Sequence, residues 1–358
     1  MSRFNIKSPG IYIEDINVHP QSIKGVGTST AAFLGEAEMG PTTPTLVTSF
    51  TEFQRVFGGY FDEDKYLPYA VEGFFLNGGK RCYVSRISDS NYASALAYLE
   101  AVEVAIVYSP NAQALEGLTD LLIDHCERLK NRFVIFDSLK GQNPLNVTKP
   151  RDSSFAALYY PWIYVKQAGV NATCLVPSGG HVAGIYARTD IEVGVHRAPA
   201  NQLVKGALGL EVTIKSYRQD SLNLQGINTI RNFAGRGLLV WGARTLSSDP
   251  IKKYVNVCRL IIYLEQSIKK GTEWAVFEPN NEATWAKIKT ATENFLTQTW
   301  KSGMILGTKQ QEAYFVECGR NTMTQNDIDE GRLIMLIGVA PVKPAEFIIF
   351  RIAQTILS

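Results

Sequence analysis

The chain has 358 residues, enough for two or three domains and a substantial buried core. Hydrophobic residues make up 45% and charged residues 20%, a balance that excludes a disordered chain. Lysine and arginine number 36 against 34 acidic residues, so the charge gives no support to a nucleic-acid or anionic-membrane partner.

Residues 1–24 read as an arm: polar, short-stranded and punctuated by Pro9, Gly10 and Pro20. Ser8-Pro9-Gly10 forces a turn ahead of Ile11, Tyr12 and Ile13, a short strand-former. The residues from 14 to 24 then form a tether that could extend about 35 Å. The arm carries no apolar signal core, and no run approaches the ~18 apolar residues of a membrane span, so a cytosolic product without membrane insertion is expected.

From 25 to 245 the pattern is α/β. AAFLGEA reads as a strand and TLVTSF as an apolar run; 66–76 reads as a helix closed by a left-handed cap at Asn77-Gly78-Gly79, and 81–87 as a strand. The run 102–108 suits a buried strand. Leu115, Leu118, Leu122, Cys126 and Leu129 keep helical spacing, and RFVIFDS is a second buried strand. Strand, helix and strand of these lengths make a βαβ unit with parallel pairing. FAALYYPWIYV and GRGLLVWGARTL read as further strands of the same layer.

From 246 to 342 an α+β domain is expected. Asp249 is read as an N-cap with Pro250 at the first helical position, ahead of the stripe Tyr254, Val257, Cys258, Ile261, Leu264 and Ile268 and a close at Lys269-Lys270-Gly271. A second helix starts near Glu282, buries Trp285, Ile288, Thr292, Phe295, Leu296 and Thr299, and ends at Lys301 and Gly303. EAYFVEC and RLIMLIGVA read as strands. Residues 343–358 end in Phe347, Ile348, Ile349, Phe350, Arg351 and Ile352, a strand-former apolar on both faces. Two apolar strands on tethered termini suggest donation to other copies of the chain, against the alternative that each pairs within its own domain.

Chemical motifs are sparse. PSGGHVAG lacks the spacing and lysine of a phosphate loop, and is read as a turn through Gly179 and Gly180 into a helix capped by Ser178, with His181 at the surface. Ser178, His181 and Asp137 can be nominated as a hydrolase triad but have no GxSxG elbow. His181 and His196 sit in no metal-ligand spacing, and no cofactor motif is found. Arg231, Arg236 and Arg244 suit an anion, or inter-subunit or intradomain salt bridges. The five scattered cysteines, Cys82, Cys126, Cys174, Cys258 and Cys318, read as reduced thiols.

Taken together, SPGIYIEDI, AAFLGEAEMGP, FGGY, PSGGHVAGIYARTD, GVHRAPAN, LNLQGINTIRNFAGRGLLVWGARTL, DPIKKYVNVCRLIIYLEQSI, GTEWAVFEPNNEATW and GVAPVKPAEFIIFRI resemble the successive blocks of contractile tail sheath proteins. The modest length is most similar to the compact sheaths of phage-tail-like injection particles of the antifeeding prophage and Photorhabdus virulence cassette type. The resemblance implies a non-enzymatic subunit without cofactors and a middle region with a subtilisin-like α/β arrangement. It implies hexameric rings stacked as a helix around an inner tube protein, between baseplate and terminal cap proteins, with paralogous sheath proteins as further partners. It also implies contraction that drives the tube through a target envelope, and assembly in the bacterial cytoplasm before the particle is released or joins the envelope. A true phage virion, or an α/β hydrolase, are the alternatives. By the same resemblance the donated strands are Ile11–Ile13 and the 347–352 run, with the sheet near EAYFVEC and RLIMLIGVA as acceptor. Gly25 and Gly27 are candidate hinges, and Lys269, Lys270, Lys287, Lys289 and Lys301 candidate tube-facing residues.

Overall fold

The computed structural model of the chain describes residues 22–346 apart from 168 and 170. Ile11, Tyr12, Ile13 and the run 347–352 therefore lie outside the described residues.

In chain order the first elements are β1 (Ala31–Gly35), β2 (Thr45–Val47), α1 (Phe50–Phe57), α2 (Leu67–Leu76), β3 (Cys82–Arg86), α3 (Tyr92–Leu99), β4 (Ile106–Tyr108), α4 (Leu118–Leu129) and β5 (Phe133–Asp137). They continue as β6 (Ala156–Tyr160), β7 (Ile163–Lys166), β8 (Thr173–Val176), α5 (Gly179–Glu192), β9 (Gln202–Leu203), β10 (Ala207–Leu210), α6 (Ser216–Leu224), β11 (Ile227–Phe233) and β12 (Gly237–Trp241). The last elements are α7 (Val255–Thr272), α8 (Glu282–Lys301), α9 (Gln310–Ala313), β13 (Tyr314–Cys318), α10 (Gln325–Asp329) and β14 (Met335–Val339).

Nine strands form one sheet in the order β2-β3-β1-β4-β5-β6-β11-β12-β9. The six from β3 to β11 are mutually parallel, β2 and β12 run antiparallel to them at the flanks, and β9 pairs antiparallel with β12. The β4–α4–β5 unit is the expected βαβ crossover. Continuous apolar runs on β1, β5 and β6 bury every residue because helices cover both faces. Phe33, Tyr108, Phe133 and Tyr159 point to one core with α2 and α5; Leu34, Val107, Val134 and Leu158 point to the other with α3, α4 and α6.

The α2–α5 contact explains the glycines of PSGGHVAG. A Cβ on Gly180 would stand 2.5 Å from the Ala70 backbone, and one on Gly184 would stand 2.4 Å from the Phe74 carbonyl oxygen. These glycines let two helices approach, and Gly179 and Gly180 already belong to α5 rather than to a turn before it.

Three further expectations are corrected. FAALYYPWIYV is two strands, because the chain turns at Pro161: β6 stays in the large sheet and β7 joins the antiparallel sheet β10-β7-β8. Asp249 does not cap a helix. Its carboxylate accepts from Ile251 N (2.9 Å) in a local turn through 250–252, Tyr254 then bridges Arg244, and α7 opens only at Val255. Gly271 is inside α7, which runs on to Thr272. By contrast α8 starts and ends at its expected residues: Asn281 accepts from Thr284 N (3.1 Å) at one end, and Gly303 adopts φ +79° beyond the other.

Helices α7 and α8 and strand β13 enclose a third core built from Leu260, Leu264, Ile268, Phe295, Leu296, Tyr314 and Val316. Cys82, Cys126 and Cys258 are buried and all five thiols are free. Among the described residues no helix is long and apolar enough to cross a membrane, and no cluster of three metal-ligating side chains occurs.

Candidate functional site: the chain-end anchors and the open hairpin

The segment entering the body from the N-terminal arm runs antiparallel along α7. Ile23 is buried beside Gly271, Val26 N donates to Ser267 Oγ (3.1 Å), and the Thr28 carbonyl accepts from Arg259 Nη2 (2.9 Å). Gly25 lies against Tyr263, whose hydroxyl would be 2.2 Å from any Cβ there, so this glycine serves close packing. Gly27 has open space around it.

Arg259 ties this segment to the α/β layer. Its guanidinium holds both oxygens of Asp190 on α5 at 3.0 and 2.7 Å and lies 5.0 Å over the Tyr186 ring. Side-chain exposure is 4% for Arg259 and 2% for Asp190, so the pair exchanges no charge with water. One guanidinium thus joins the arm root, α5 and α7.

The chain leaving toward the C-terminal arm is anchored as firmly. Leu306 N donates to Ala340 O (2.8 Å), and Asn256 Nδ2 donates to the carbonyls of His196 (2.8 Å) and Val342 (3.0 Å). Glu346 then receives Arg244 Nε (2.8 Å) and Nη2 (2.6 Å), with the Tyr254 hydroxyl at 3.1 Å. Burial pushes the Glu346 carboxyl up, but the Arg244 bonds and charge outweigh it and hold the group below its usual value. Of the three arginines singled out in sequence, Arg244 is the intradomain salt-bridge donor. Both anchors therefore converge on α7 and the residues just before it.

Beside them, β13 and β14 pair antiparallel, from Tyr314↔Val339 to Cys318↔Met335, in a sheet that has two strands among the described residues. Phe315 and Leu336 are about half exposed on its outer face. A groove of roughly 330 Å³ runs along β14, floored by Ile261, Leu264, Ile268, Leu296, Ile337 and Val339. Two-stranded ribbons are marginal alone, and an apolar edge with free N–H and C=O groups is a template for another strand. This is the sheet expected as acceptor.

The five lysines do not form one face. Lys269 borders the groove, and Lys270 pairs with Glu103 in the α/β layer. Lys287 and Lys301 lie within about 40° of each other around α8, whereas Lys289 is about 160° from Lys287. Lys289 turns toward Glu293 (3.9 Å) and β13, where its charge acts on Cys318.

Asp137, Ser178 and His181 are all buried, at 1%, 0% and 2% exposure, which corrects the surface placement of His181. Ser178 does not cap α5: its hydroxyl has no hydrogen-bond partner among the described residues, and Asp137 Oδ1 accepts from Gly179 N (2.6 Å) instead. Asp137 Oδ2 accepts from the Tyr108 hydroxyl (2.6 Å), so one carboxylate oxygen fastens β5 to α5 and the other fastens it to β4.

Burial pushes the Asp137 carboxyl up to about 7 against these hydrogen bonds, which lower it. A carboxyl raised above its unfolded value of about 3.9 stabilises the fold fully below that pH, and the contribution is lost as pH rises through about 7. Asp137→Asn removes this titration and keeps one acceptor oxygen for Gly179 N, while its amide nitrogen can donate to the Tyr108 hydroxyl. In urea titrations from pH 4 to pH 7, the variant should gain on the wild type as pH rises; a constant difference would contradict the assignment. His125 and His181, pushed down to about 4 by burial, titrate alike in both proteins and cancel from the difference.

Anchored chain ends beside a two-stranded sheet with no third strand among the described residues suit a structural subunit. The comparisons identify the kind of subunit: the chain belongs to the phage tail sheath family. The phage tail sheath central domain matches residues 86–246 and the phage tail sheath C-terminal domain matches residues 247–355. The contracted helical sheath of the anti-feeding prophage is 32% identical with a TM-score of 0.83, over 98% of this chain and all of that one. The contracted PVC sheath of an extracellular contractile injection system is 32% identical with a TM-score of 0.84, over 98% of each chain. Curated relatives are longer. The tail sheath protein of Vibrio phage KVP40 is 28% identical over half of this chain and 26% of its own length. A putative prophage major tail sheath protein of Pseudomonas aeruginosa is 28% identical over 70% of this chain and 64% of its own. The chain thus spans less than two thirds of these curated relatives.

Proposed function

We propose that the chain polymerises as a helix of hexameric rings around an inner tube and shortens to drive that tube through a target envelope. The observation that carries this reading is the open, apolar β13–β14 hairpin flanked by two anchored chain ends. Arms that leave a rigid body from fixed points can bridge to neighbours, and strands donated on tethers keep their backbone hydrogen bonds while rings rotate. Residues 11–13 of one neighbour and 347–352 of another pair with the hairpin, and the apolar side chains of the incoming strand fill the groove along β14. Of the two hinge positions Gly27 has open space around it and Gly25 packs against Tyr263, so Gly27 is the better, and motion there requires release of Val26 from Ser267.

Under this reading residues 1–24 and 343–358 are the arms, 25–245 the outer region and 246–342 the inner domain. The outer region keeps a subtilisin-like arrangement without its chemistry, because the nominated triad is sealed and its acid is used in packing. Full-length similarity to sheaths of the anti-feeding prophage and PVC, against partial coverage of longer phage relatives, supports an injection particle over a phage virion. The anti-feeding prophage baseplate solved with six-fold symmetry supports six-membered rings and a baseplate partner. Cap proteins and paralogous sheath proteins complete the particle, which assembles in the cytoplasm.

The tube-facing surface is the outward side of α8, with Lys287 and Lys301 meeting acidic groups of the inner tube protein. Co-expression with that protein, followed by pelleting, tests the whole arrangement. Sheathed tubes are expected from the wild type, and Lys287→Glu/Lys301→Glu should cut sheath recovered with tube by about tenfold. Undiminished recovery would remove α8 from the tube contact, and no sheathed tubes from the wild type would overturn the proposed function.

A further inference from the structure

The hairpin of β11 and β12 turns one face to the core through Ile230 and Val240. The other face is covered by α6 only near Thr229, where Gln219 bonds the Thr229 hydroxyl and approaches the Trp241 carbonyl (3.4 Å). Beyond that point Phe233 packs against Trp241 with 4.5 Å between centroids and the rings tilted by 49°, and the guanidiniums of Arg231 and Arg236 lie 5.3 and 5.8 Å from the Phe233 ring. Arg218 on α6 lies 5.1 Å from the exposed Tyr217 ring. Arg231 Nη2 reaches only the Ser216 hydroxyl (3.2 Å), and its buried Nε has no partner. Among the described residues none of these three guanidiniums meets a carboxylate.

A guanidinium resting on an aromatic ring is already oriented, so it loses little freedom on meeting a carboxylate. The chain carries a matching set elsewhere. The loop between α1 and α2 exposes Asp62, Glu63 and Asp64 next to a partly exposed Phe61, and its one lysine, Lys65, is already taken by Glu36. Among the described residues these three acids have no ion-pair partner either. With 36 basic and 34 acidic residues the chain is nearly neutral, so these are local patches of opposite sign and not the expression of a net charge.

We propose that Arg218, Arg231 and Arg236 dock onto Asp62, Glu63 and Asp64 of a second copy of this chain. This inference rests on the polymer proposed above. The two patches are different surfaces of one molecule, so their contact is heterologous and repeats from copy to copy, as an open helix requires. It lies in the outer region, apart from the donated strands, and adds an electrostatic link that weakens with salt.

The test compares four full-length proteins by analytical ultracentrifugation and pelleting: wild type, Arg231→Glu/Arg236→Glu, Glu63→Arg/Asp64→Arg, and the combination of all four changes. Each pair alone should reduce self-association by at least about tenfold, and the combination should recover it, because the swapped charges attract again. Wild-type association by either pair, or failure of the folded combination to recover, would overturn the contact while leaving the polymer intact. A wild type that stays monomeric would remove the polymer and this contact with it. Arg236 is exposed and bonded only to Asn201, so Arg236→Glu serves if the double change at the hairpin fails to fold. That single change should weaken association by about threefold or more, and no change would overturn the contact.

Discussion

Replacing Arg259 with methionine should destabilise the folded chain by about 3–5 kcal/mol, among the largest effects expected of a single substitution. The reason is the state in which it leaves Asp190. That carboxylate is 2% exposed, and burial pushes it above its usual value even against its Arg259 bonds of 3.0 and 2.7 Å, so without the guanidinium only Thr28 is left to compensate a buried charge. The Thr28 carbonyl loses its donor at the same time, and Tyr186 loses the cation over its ring. Chemical denaturation followed by tryptophan fluorescence should show the loss. Limited proteolysis should show faster cleavage around 22–28, because the arm root then keeps Ile23, Val26 and the Thr28 side-chain bond to Asp190 but loses the guanidinium.

Asp190→Leu combined with Arg259→Met should recover much of the stability, since a buried ion pair replaced by apolar groups of similar volume is often neutral. The root should nevertheless stay sensitive to protease, because Thr28 remains without its donor. A single Arg259→Met that costs less than about 1 kcal/mol would mean the anchor does not carry the arm.

How much of this was legible in the sequence depended on distance along the chain. Helix α8 could be read to its ends because its signals are local: an Asn281 cap, a stripe from Trp285 to Thr299 at helical spacing, and Gly303 beyond the last lysine. The β4–α4–β5 unit was legible for the same reason. Helix α7 was placed too early because Asp249-Pro250 has the chemistry of a helix start, while the bridge between Arg244 and Tyr254 that holds Tyr254 extended lies outside any local window. Helix α1 did carry a local signal that was passed over. Ser49 accepts from Glu52 N (3.1 Å) and the Glu52 carboxylate returns to Thr48 N (2.8 Å), a cap pattern written in TSFTE.

The site was legible in kind and not in detail. Apolar termini and strand-like EAYFVEC and RLIMLIGVA pointed to strand exchange, and β13 and β14 stand where those runs were placed. The anchors were not visible, because Arg259 meets Thr28 across 231 positions and Asp190 across 69, and Arg244 meets Glu346 across 102. No periodicity reports such a meeting. His181 was put at the surface because a histidine beside two glycines reads as a loop; its burial is decided by Gly73 on a helix over a hundred residues earlier.

Removal of residues 347–358 should abolish assembly while leaving the body folded. The cut falls after Glu346, so Arg244 keeps its carboxylate and both anchors on α7 survive. What is lost is the run Phe347, Ile348, Ile349, Phe350, Arg351 and Ile352, which is proposed to complete the β13–β14 sheet of a neighbour. The groove floored by Ile261, Leu264, Ile268 and Leu296 then stays open to water in every copy. At about 25 cal/mol per Å² of apolar surface left unburied, the deficit repeats at each subunit and multiplies along a helix. Circular dichroism should match the full chain.

Negative-stain electron microscopy of the full chain beside the chain ending at Glu346, each co-expressed with the inner tube protein, tests strand exchange most directly. The account predicts sheathed tubes from the full chain and only dispersed, folded subunits from the shortened one. Sheaths of equal length and number from both would contradict it, since subunits would then be linked without their C-terminal strands.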